Sequence, residues 1–227
     1  DVSNNTALTN LVCGNNQLTS LDVSNNTALT YLDCRSNALN TLDISNNTAL
    51  EGLYCYSTQL TSLDVSSNTA LASLNCSYNQ LTSLDVSANT SLTSLDCWSN
   101  QLTSLDVGSN TALTYLQCYT NQLTYLNMRN GITAQLSNFN ATDNSLTCIE
   151  TLDPGYATAN WTYANDNIDA GVSFAEICYS SNPDYTNVPD DNFEQALIDL
   201  GYDDVLDDYV LTENISGVTE LYVGEKE

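Results

Sequence analysis

Residue types that can bind metals or carry out acid–base chemistry recur in this chain at a step of 21 residues. The recurring cysteines are Cys13, Cys34, Cys55, Cys76, Cys97 and Cys118. The recurring aspartates are Asp1, Asp22, Asp43, Asp64, Asp85 and Asp106. Thiolates are ligands for zinc, and carboxylates are ligands for calcium. Histidine, the commonest general base and metal ligand, is absent from the 227 residues.

The periodic cysteines are predicted to be buried free thiols. A zinc site is not expected, because the chain has neither a C-x-x-C pair nor a histidine. Neighbouring thiols would lie about 4.8 Å apart, but identical in-register side chains point in parallel, which suits the dihedral angle of a disulfide poorly. At inward positions of a repeat, reduced cysteine acts as a small hydrophobic side chain.

The periodic aspartates are expected to be solvated or to accept hydrogen bonds from turn amides. Like charges about 5 Å apart repel by somewhat under 1 kcal/mol in water. A regular carboxylate ladder could instead recruit calcium between coils. We expect no cofactor and no metal, with calcium at Asp43, Asp64 and Asp85 as the alternative.

The overall charge restricts the partners of the chain. Three Lys or Arg residues stand against 28 Asp or Glu residues, which gives a formal net charge of -25 at pH 7. Such a charge repels phosphate backbones and anionic membrane surfaces, so nucleic acid is not expected as a partner. The sequence has no apolar run of about 18 residues, so we expect no direct membrane insertion.

The elements that position these residues follow from the repeat itself. One unit reads LTSLDVSSNTALASLNCSYNQ, and its strand half follows L-x-x-L-x-C-x-x-N-x-L. Alternation around the leucine and the cysteine predicts a short strand, and the LTSLDV half adds a second inward apolar pair. Because no coil can bury its apolar side alone, stacked coils must form the core. We predict a mainly β repeat solenoid of 21-residue coils with a parallel strand face, little helix, and a short capping helix near the C-terminus.

An asparagine column marks the point where the chain leaves each strand. Its members are Asn16, Asn37, Asn79, Asn100 and Asn121. A buried amide at this point can hydrogen-bond the backbone of neighbouring coils. Thr58 takes the place of asparagine once, which predicts a locally looser coil.

The outward positions of the strand half vary from unit to unit, and aromatic residues collect there. Together with one arginine they are Tyr31, Arg35, Tyr54, Tyr56, Tyr78, Trp98, Tyr115 and Tyr119. Stacked about 4.8 Å apart, the rings would form a near-continuous strip along one face. Tyr and Trp give a large contact area at low entropy cost, so the strip predicts a binding face for a glycan or a protein. The alternative is that strand positions simply favour tyrosine.

The repeat resembles the leucine-rich repeats of bacterial surface proteins. Its cysteine-containing unit is similar to the internalin J type, in which the cysteines form a ladder. The segments LTCIE, ANWT, SFAEIC and VPDDNFEQALIDLGYDDVLDDYVL are more similar still to large secreted Bacteroidetes repeat proteins, where they close one array and open the next. The resemblance implies a secreted or cell-surface protein, exported by the type IX route and acting in adhesion or ligand binding.

The resemblance also implies a repeat array followed by a cap. Residues 1–147 are expected to form the array, which starts mid-repeat and ends in a degenerate repeat at 136–146. Residues 148–178 are expected to form the C-terminal cap, closed by a disulfide between Cys148 and Cys178. Such a bond suits an oxidising compartment and restrains a segment with a poor core of its own.

A second, truncated array is expected after the cap. Residues 179–189 are interpreted as a linker. Residues 190–227 should hold a capping helix, with Phe193, Leu197 and Leu200 on its apolar face, and the first strand of the second array. Further repeat arrays in the same polypeptide are therefore expected partners.

These observations predict a non-catalytic binding or adhesion module, located extracellularly or on the outer cell surface. A structural spacer or stalk within a multi-array surface protein is the alternative. Catalysis is not expected, because the carboxylates of Asp33 and Asp96 would lie three coils apart, about 14 Å, too far for either glycoside hydrolase geometry. Threonine columns such as Thr61, Thr82 and Thr103 suggest ice binding, but threonine is also an ordinary turn former.

Overall fold

The computed structural model describes residues 1–179 and 182–219. The chain forms two compact units, Asp1–Glu176 and a C-terminal unit that begins at Ile177. No helix in the described part of the chain is long and apolar enough to cross a lipid bilayer.

The first unit consists of short strands with few helical turns. Its strands are β1 (Asn10–Val12), β2 (Tyr31–Asp33), β3 (Gly52–Tyr54), β4 (Ser73–Asn75), β5 (Ser94–Asp96), β6 (Ser104–Asp106), β7 (Tyr115–Gln117), β8 (Tyr125–Met128), β9 (Asn138–Asn140), β10 (Cys148–Thr151) and β11 (Ser173–Ala175). Its helical segments are α1 (Pro154–Asn160) and the 3-10 turns Thr133–Gln135 and Tyr163–Asn165. The predicted mainly β solenoid with little helix is confirmed.

The strands of this unit form two parallel sheets. The larger sheet has seven strands in the order β1-β2-β3-β4-β5-β7-β9, and the smaller has four in the order β11-β10-β8-β6. Strands pair in register one repeat apart, so that Leu32 is opposite Leu53 and Leu53 is opposite Leu74. The seven-stranded sheet is the predicted strand face. The four-stranded sheet is an additional feature, formed by LTSLDV-type segments of the later coils such as the one around Leu105.

The core is a stack of like side chains from successive coils. Leu32, Leu53 and Leu95 are fully buried at one strand position, and Cys55 and Cys97 are fully buried two residues further along. Because the strands pair in register, each leucine packs against its equivalent in the next coil. Each fully buried leucine contributes roughly 1.5–3 kcal/mol relative to an exposed one.

The predicted asparagine column hydrogen-bonds between coils. In one coil, Asn37 Nδ2 donates to the carbonyl oxygens of Cys34 at 2.9 Å and Cys13 at 3.1 Å. Its Oδ1 accepts the amide proton of Leu18 at 3.0 Å. One side chain therefore satisfies backbone groups on two coils where the chain bends away from the sheet.

A second asparagine column is buried as well, in the turn that follows the LTSLDV half. Its members are Asn26, Asn47, Asn68, Asn89 and Asn110, all with no exposed surface. Asn68 Nδ2, for example, donates to the carbonyl oxygens of Ile44 at 3.1 Å and Asn47 at 2.9 Å. The Oδ1 atoms of this column have no hydrogen-bond partner among the described residues. Composition alone does not predict this burial, because asparagine is typical of exposed turns.

The coil that carries Thr58 is closed, although it was expected to be looser. The Thr58 hydroxyl donates to the Cys55 carbonyl at 2.7 Å, and Asn79 Oδ1 accepts the amide protons of Gln59 and Leu60 at 2.9 Å. The backbone adjusts through a left-handed conformation at Gln59, with φ 96°. A non-glycine residue with positive φ carries strain, so this coil is irregular rather than open.

The segment 148–178, predicted to be a cap, continues the coil stacking. Its strands β10 and β11 extend the four-stranded sheet through pairs such as Ile149 with Phe174. Helix α1 follows Asp153, whose side chain accepts the amide proton of Tyr156 at 2.9 Å. Trp161 is 5% exposed and packs against aromatic rings, so large side chains replace leucine as the core here.

In its described part, the second unit combines a hairpin-like pair of strands with two helices. The strands are β12 (Tyr185–Asn187) and β13 (Tyr209–Leu211), which pair antiparallel, and the helices are α2 (Asp191–Asp199) and α3 (Thr212–Ser216). Val188, Leu197 and Val210 form its small core. Strand β12 lies inside the segment 179–189 that was interpreted as a linker, because its backbone finds a pairing partner in β13. The first strand expected for the second array falls mostly on residues 220–223, which lie outside the described residues.

Helix α2 is the predicted capping helix, but its buried face differs from the expected one. Leu197 is buried, whereas Phe193 is 36% exposed and Leu200 is 50% exposed. Glu194 is buried in their place, and its carboxylate accepts the backbone amide protons of Asp207 and Tyr209. These hydrogen bonds tie the helix to the segment that leads into β13.

Candidate binding face

The outward residues of the seven-stranded sheet align in three columns across the coils. The first strand residues are Tyr31, Gly52, Ser73, Ser94 and Tyr115. The third strand residues are Asp33, Tyr54, Asn75, Asp96 and Gln117. The residues two positions further on are Arg35, Tyr56, Ser77, Trp98 and Tyr119. Every predicted face residue except Tyr78 lies in one of these columns.

Three aromatic side chains form a continuous surface, which we call the aromatic platform: Tyr78, Trp98 and Tyr119. The ring centroids of Trp98 and Tyr119 are 4.7 Å apart, and the planes are inclined by 15°. Tyr78 meets Trp98 edge-on, with centroids 4.2 Å apart and an angle of 66°. Tyr78 is 53% exposed and lies in the turn after the strand, with φ 51°. The platform is therefore built partly on the sheet and partly on the turn.

A second group, the Arg35 cluster, surrounds the arginine of the strand face. Arg35 Nη1 donates to the Tyr56 hydroxyl at 3.0 Å, and its guanidinium carbon lies 5.6 Å from the centre of that ring. Arg35 Nε lies 3.5 Å from the carboxylate of Asp33. In the adjoining columns, the rings of Tyr31 and Tyr54 lie 5.3 Å apart. The guanidinium is thus held in one orientation by an acid and a ring.

The expected near-continuous aromatic strip is divided into these two groups. Small and polar residues, among them Gly52, Ser73 and Ser77, fill the outward positions between them. Tyr115 makes no ring–ring contact with the other described aromatic residues, because its column neighbour Ser94 offers no ring. Spacing identifies which positions point outward, but a ring–ring contact also requires a second ring nearby on the adjacent coil.

Asp96 is a feature of the face that the sequence analysis did not single out for binding. It lies on β5 between Asn75 and Gln117 in the third-residue column. Partial burial raises the pKa of the Asp96 carboxyl to about 6. Asn75 Nδ2 donates to its Oδ2 at 3.3 Å. Unlike Asp33, which has Arg35 beside it, Asp96 has no cation within ion-pair distance in the described part of the chain.

The cysteines fall into the two expected groups. Cys34, Cys55, Cys76, Cys97 and Cys118 are buried free thiols, and Cys13 is a half-buried one. Burial raises the pKa of the Cys34, Cys76 and Cys118 thiols to about 12. Cys148 and Cys178 are disulfide-bonded. Neutral buried thiols are poor nucleophiles and poor metal ligands, so the ladder acts as core.

The aspartate column is used by its own turns. Asp43 Oδ1 accepts the backbone amide proton of Ser45 at 3.0 Å and its hydroxyl proton at 2.7 Å, and these bonds lower the pKa of the Asp43 carboxyl. Asp64 and Asp85 accept the amide protons of the serines two residues later in the same way. The described residues contain no group of three or more side chains that could hold a metal ion.

Comparison with known proteins identifies the fold. No protein-family model and no curated protein matches the chain. The solved structure of internalin C2 from Listeria monocytogenes superposes with a TM-score of 0.60 at 23% identity, over 77% of this chain and 74% of that one. The leucine-rich-repeat ectodomain of the Arabidopsis thaliana receptor kinase GASSHO1/SCHENGEN3, solved in complex with CASPARIAN STRIP INTEGRITY FACTOR 2, gives 0.64 at 25% identity over 78% and 23%. The fold is a leucine-rich-repeat solenoid.

A cysteine-ladder protein is also among the similar structures. The functional domain of InlJ from Listeria monocytogenes is 29% identical over 81% of this chain, with a TM-score of 0.48. The present chain spans 53% of that domain, about half its length.

Proposed function

We propose that this leucine-rich-repeat solenoid is a non-catalytic binding module, which captures a protein partner on its seven-stranded face. The aromatic platform of Tyr78, Trp98 and Tyr119 is the observation that carries the proposal. These rings are outside the leucine core, and Tyr78 is more than half exposed. Clustered Tyr and Trp side chains on a protein surface are typical of the residues that dominate binding energy.

The platform suits recognition because it is ordered before a partner arrives. The strands beneath Trp98 and Tyr119 are paired, and the rings stack on one another. Little side-chain entropy is then lost on binding, which favours affinity. Each ring also keeps a polar group for a hydrogen bond at the edge of the contact.

The Arg35 cluster would supply orientation. Asp33 and Tyr56 fix the guanidinium of Arg35, which is the one cation in the regular repeats of an acidic chain. A partner carboxylate meeting this group would form a charge-assisted hydrogen bond. The surrounding negative charge would reject acidic surfaces that do not match it.

The similar structures support a protein partner over a glycan. The plant ectodomain was solved with CASPARIAN STRIP INTEGRITY FACTOR 2 bound, which makes it a binding protein of the same fold. An extracellular or cell-surface location is part of the proposal, and the disulfide-bonded Cys148 and Cys178 are consistent with an oxidising compartment. Export by the type IX route stays a prediction from the sequence resemblance.

The arrangement of carboxylates supports a non-catalytic role. Asp33 and Asp96 stand in the same column with Tyr54 and Asn75 between them, so three coil spacings separate them. That is about 14 Å, beyond the separation of paired carboxylates in either class of glycosidase. Asp33 is also engaged by Arg35.

The proposal can be tested by probing two arrays with the labelled chain, one of extracellular proteins and one of glycans. We expect a hit on the protein array that is lost when Tyr78, Trp98 and Tyr119 are replaced together by alanine. Tyr163→Ala is the matched control, since this tyrosine is 65% exposed but lies outside the platform. Hits confined to glycans would contradict the protein assignment, and no hits on either array would favour the spacer alternative.

A further inference from the structure

A cavity of about 550 Å³, widely open to solvent, lies where the end of the seven-stranded sheet meets the segment 148–178. The lining residues that could contact a ligand through a polar group or a ring include Gln117, Asn138, Asn140, Tyr156, Asn160 and Asp166. None of the three platform residues lines it. The cavity is therefore a separate site, beyond the binding face proposed above.

The sheet side of the cavity presents amide groups in fixed orientations. Gln117 Nε2 donates to Asn138 Oδ1 at 2.6 Å. Asn140 Oδ1 accepts from the amide and hydroxyl of Thr142 at 2.9 and 2.7 Å. Each bond occupies the oxygen of an asparagine, and the Nδ2 groups of Asn138 and Asn140 make no hydrogen bond with the described residues. The sheet thus offers free donors from β9.

The helix side presents acceptors. Asn160 Nδ2 donates to the Tyr156 carbonyl at 2.9 Å, which leaves Asn160 Oδ1 without a partner among the described residues. The carboxylate of Asp166 is likewise unbonded in the described chain, and Asp166 is held in the left-handed conformation with φ 55°. The cavity therefore has hydrogen-bond donors on its sheet side and hydrogen-bond acceptors on its helix side.

An aromatic surface completes the lining. Tyr156, at the start of α1, meets Trp161 edge-on, with centroids 6.4 Å apart and an angle of 85°. Trp161 is almost completely buried against Phe139 and Phe174, with centroids 4.6 and 5.9 Å away. Tyr156 is only half-buried, so its ring is the accessible apolar contact and is supported from behind.

We propose that this cavity binds one or two units of a neutral saccharide. Each sugar hydroxyl both donates and accepts, and the free Nδ2 groups and oxygens of the cavity match that property. The C–H face of a sugar ring packs against an aromatic ring such as Tyr156. The volume lies within the range of small-molecule sites, about 300–1,000 Å³. Acidic sugars are disfavoured by Asp166 and by the net charge of -25.

Saturation-transfer NMR on the whole chain tests the proposal. The probes are glucose, galactose, mannose and N-acetylglucosamine, each at about 10 mM, a concentration high enough to detect a Kd near 1 mM. We expect saturation of the ring C–H protons of at least one probe. Sialic acid, which carries a carboxylate, should give no signal. The platform triple variant should bind the sugar as the parent chain does.

Substitutions identify the cavity as the site. Asn138→Leu and Asn140→Leu have nearly the parental side-chain size but carry neither donor nor acceptor, so each should weaken sugar binding at least about tenfold, with folding checked by circular dichroism. Tyr156→Ala should abolish binding, whereas Tyr163→Ala, which removes an exposed ring outside the cavity, should not. The proposal is overturned if no neutral probe binds, if sialic acid binds as well as the neutral sugars, or if both asparagine variants retain parental affinity.

Discussion

The indole of Trp98 lies nearly parallel to the phenol ring of Tyr119 in the next coil, with ring centroids 4.7 Å apart and an interplanar angle of 15°. That separation matches the spacing between paired strands, about 4.8 Å. Pairing of β5 with β7 in the sheet beneath therefore sets the stacking of the rings above it. The contact is therefore a consequence of the repeat length.

Removal of the stacked indole should affect binding far more than stability. Trp98→Ala loses two ring–ring contacts outside the leucine core, with Tyr78 and Tyr119, each worth about 0.5–1.5 kcal/mol. Leu95→Ala, three residues earlier and fully buried, should lower the free energy of unfolding by about 2–5 kcal/mol. Urea denaturation followed by circular dichroism measures the free energy of unfolding of both variants. Equal losses in the two variants would show that Trp98 belongs to the core.

Burial raises the pKa of the Asp96 carboxyl from 3.8 to about 6. The protein should therefore lose stability as the pH rises through this range. Within this window the folded state holds a proton that the unfolded state has released, so the free energy of unfolding falls with rising pH. Above about 6 both states are ionised, and the full desolvation cost remains.

The Asp96→Asn variant isolates this effect. It should be more stable than the parent chain at pH 7, by about 1 kcal/mol once the partial exposure of the carboxylate is discounted. The difference in Tm between the two proteins should shrink toward acidic pH. A difference that stays constant from acidic to neutral pH would mean that Asp96 titrates normally.

Restoring asparagine at the irregular coil should stabilise the protein. In the regular coils an asparagine oxygen accepts a leucine amide of the preceding coil, as Asn37 does for Leu18. The Thr58 side chain makes no such bond to Leu39 in the described chain. Thr58→Asn should therefore raise the free energy of unfolding by about 1 kcal/mol, measured as an increase in Tm. Thr58→Val, which removes the hydroxyl bond to Cys55, should lower it, and the opposite order would contradict this account.

The buried asparagines of the second column should be essential to the coil stack. Asn68→Ala removes the donor for two buried carbonyl groups, which costs about 1–3 kcal/mol for each unsatisfied group. Ser67→Ala is the control, because Ser67 is exposed beside it in the same turn. Thermal unfolding should shift strongly for the first and hardly for the second. Comparable Tm values would show that water can replace the amide.

Reaction with an alkylating reagent should distinguish the thiols. Burial raises the pKa of Cys76 to about 12, so almost no thiolate forms at pH 8, and the side chain is also inaccessible. Cys13 is only half-buried and should be modified first. Peptide mass spectrometry after iodoacetamide treatment of the native chain gives the order. Rapid labelling of Cys76 without unfolding would place the ladder outside the core.

Periodicity in the sequence was sufficient to predict the coil length, the inward leucines and the free thiols. A step of 21 residues in every column requires equivalent residues to stack, and alternation around Leu32 and Cys34 decides which side chains face the core. The outward position of Trp98 and Tyr119 follows from the same alternation. These features depend only on the spacing of residues along the chain, which can be read directly from the sequence.

The tertiary structure alone decided which outward residues meet. Rings on neighbouring coils meet within one column, across adjoining columns or through an adjoining turn, so Trp98 gained two ring partners and Tyr115 gained none among the described rings. Burial of Asn68, partial burial of Asp96, and the cavity between β9 and α1 likewise depend on packing across coils and between elements distant in sequence. Spacing along the chain fixes the direction of a side chain, whereas its environment is fixed by what packs beside it.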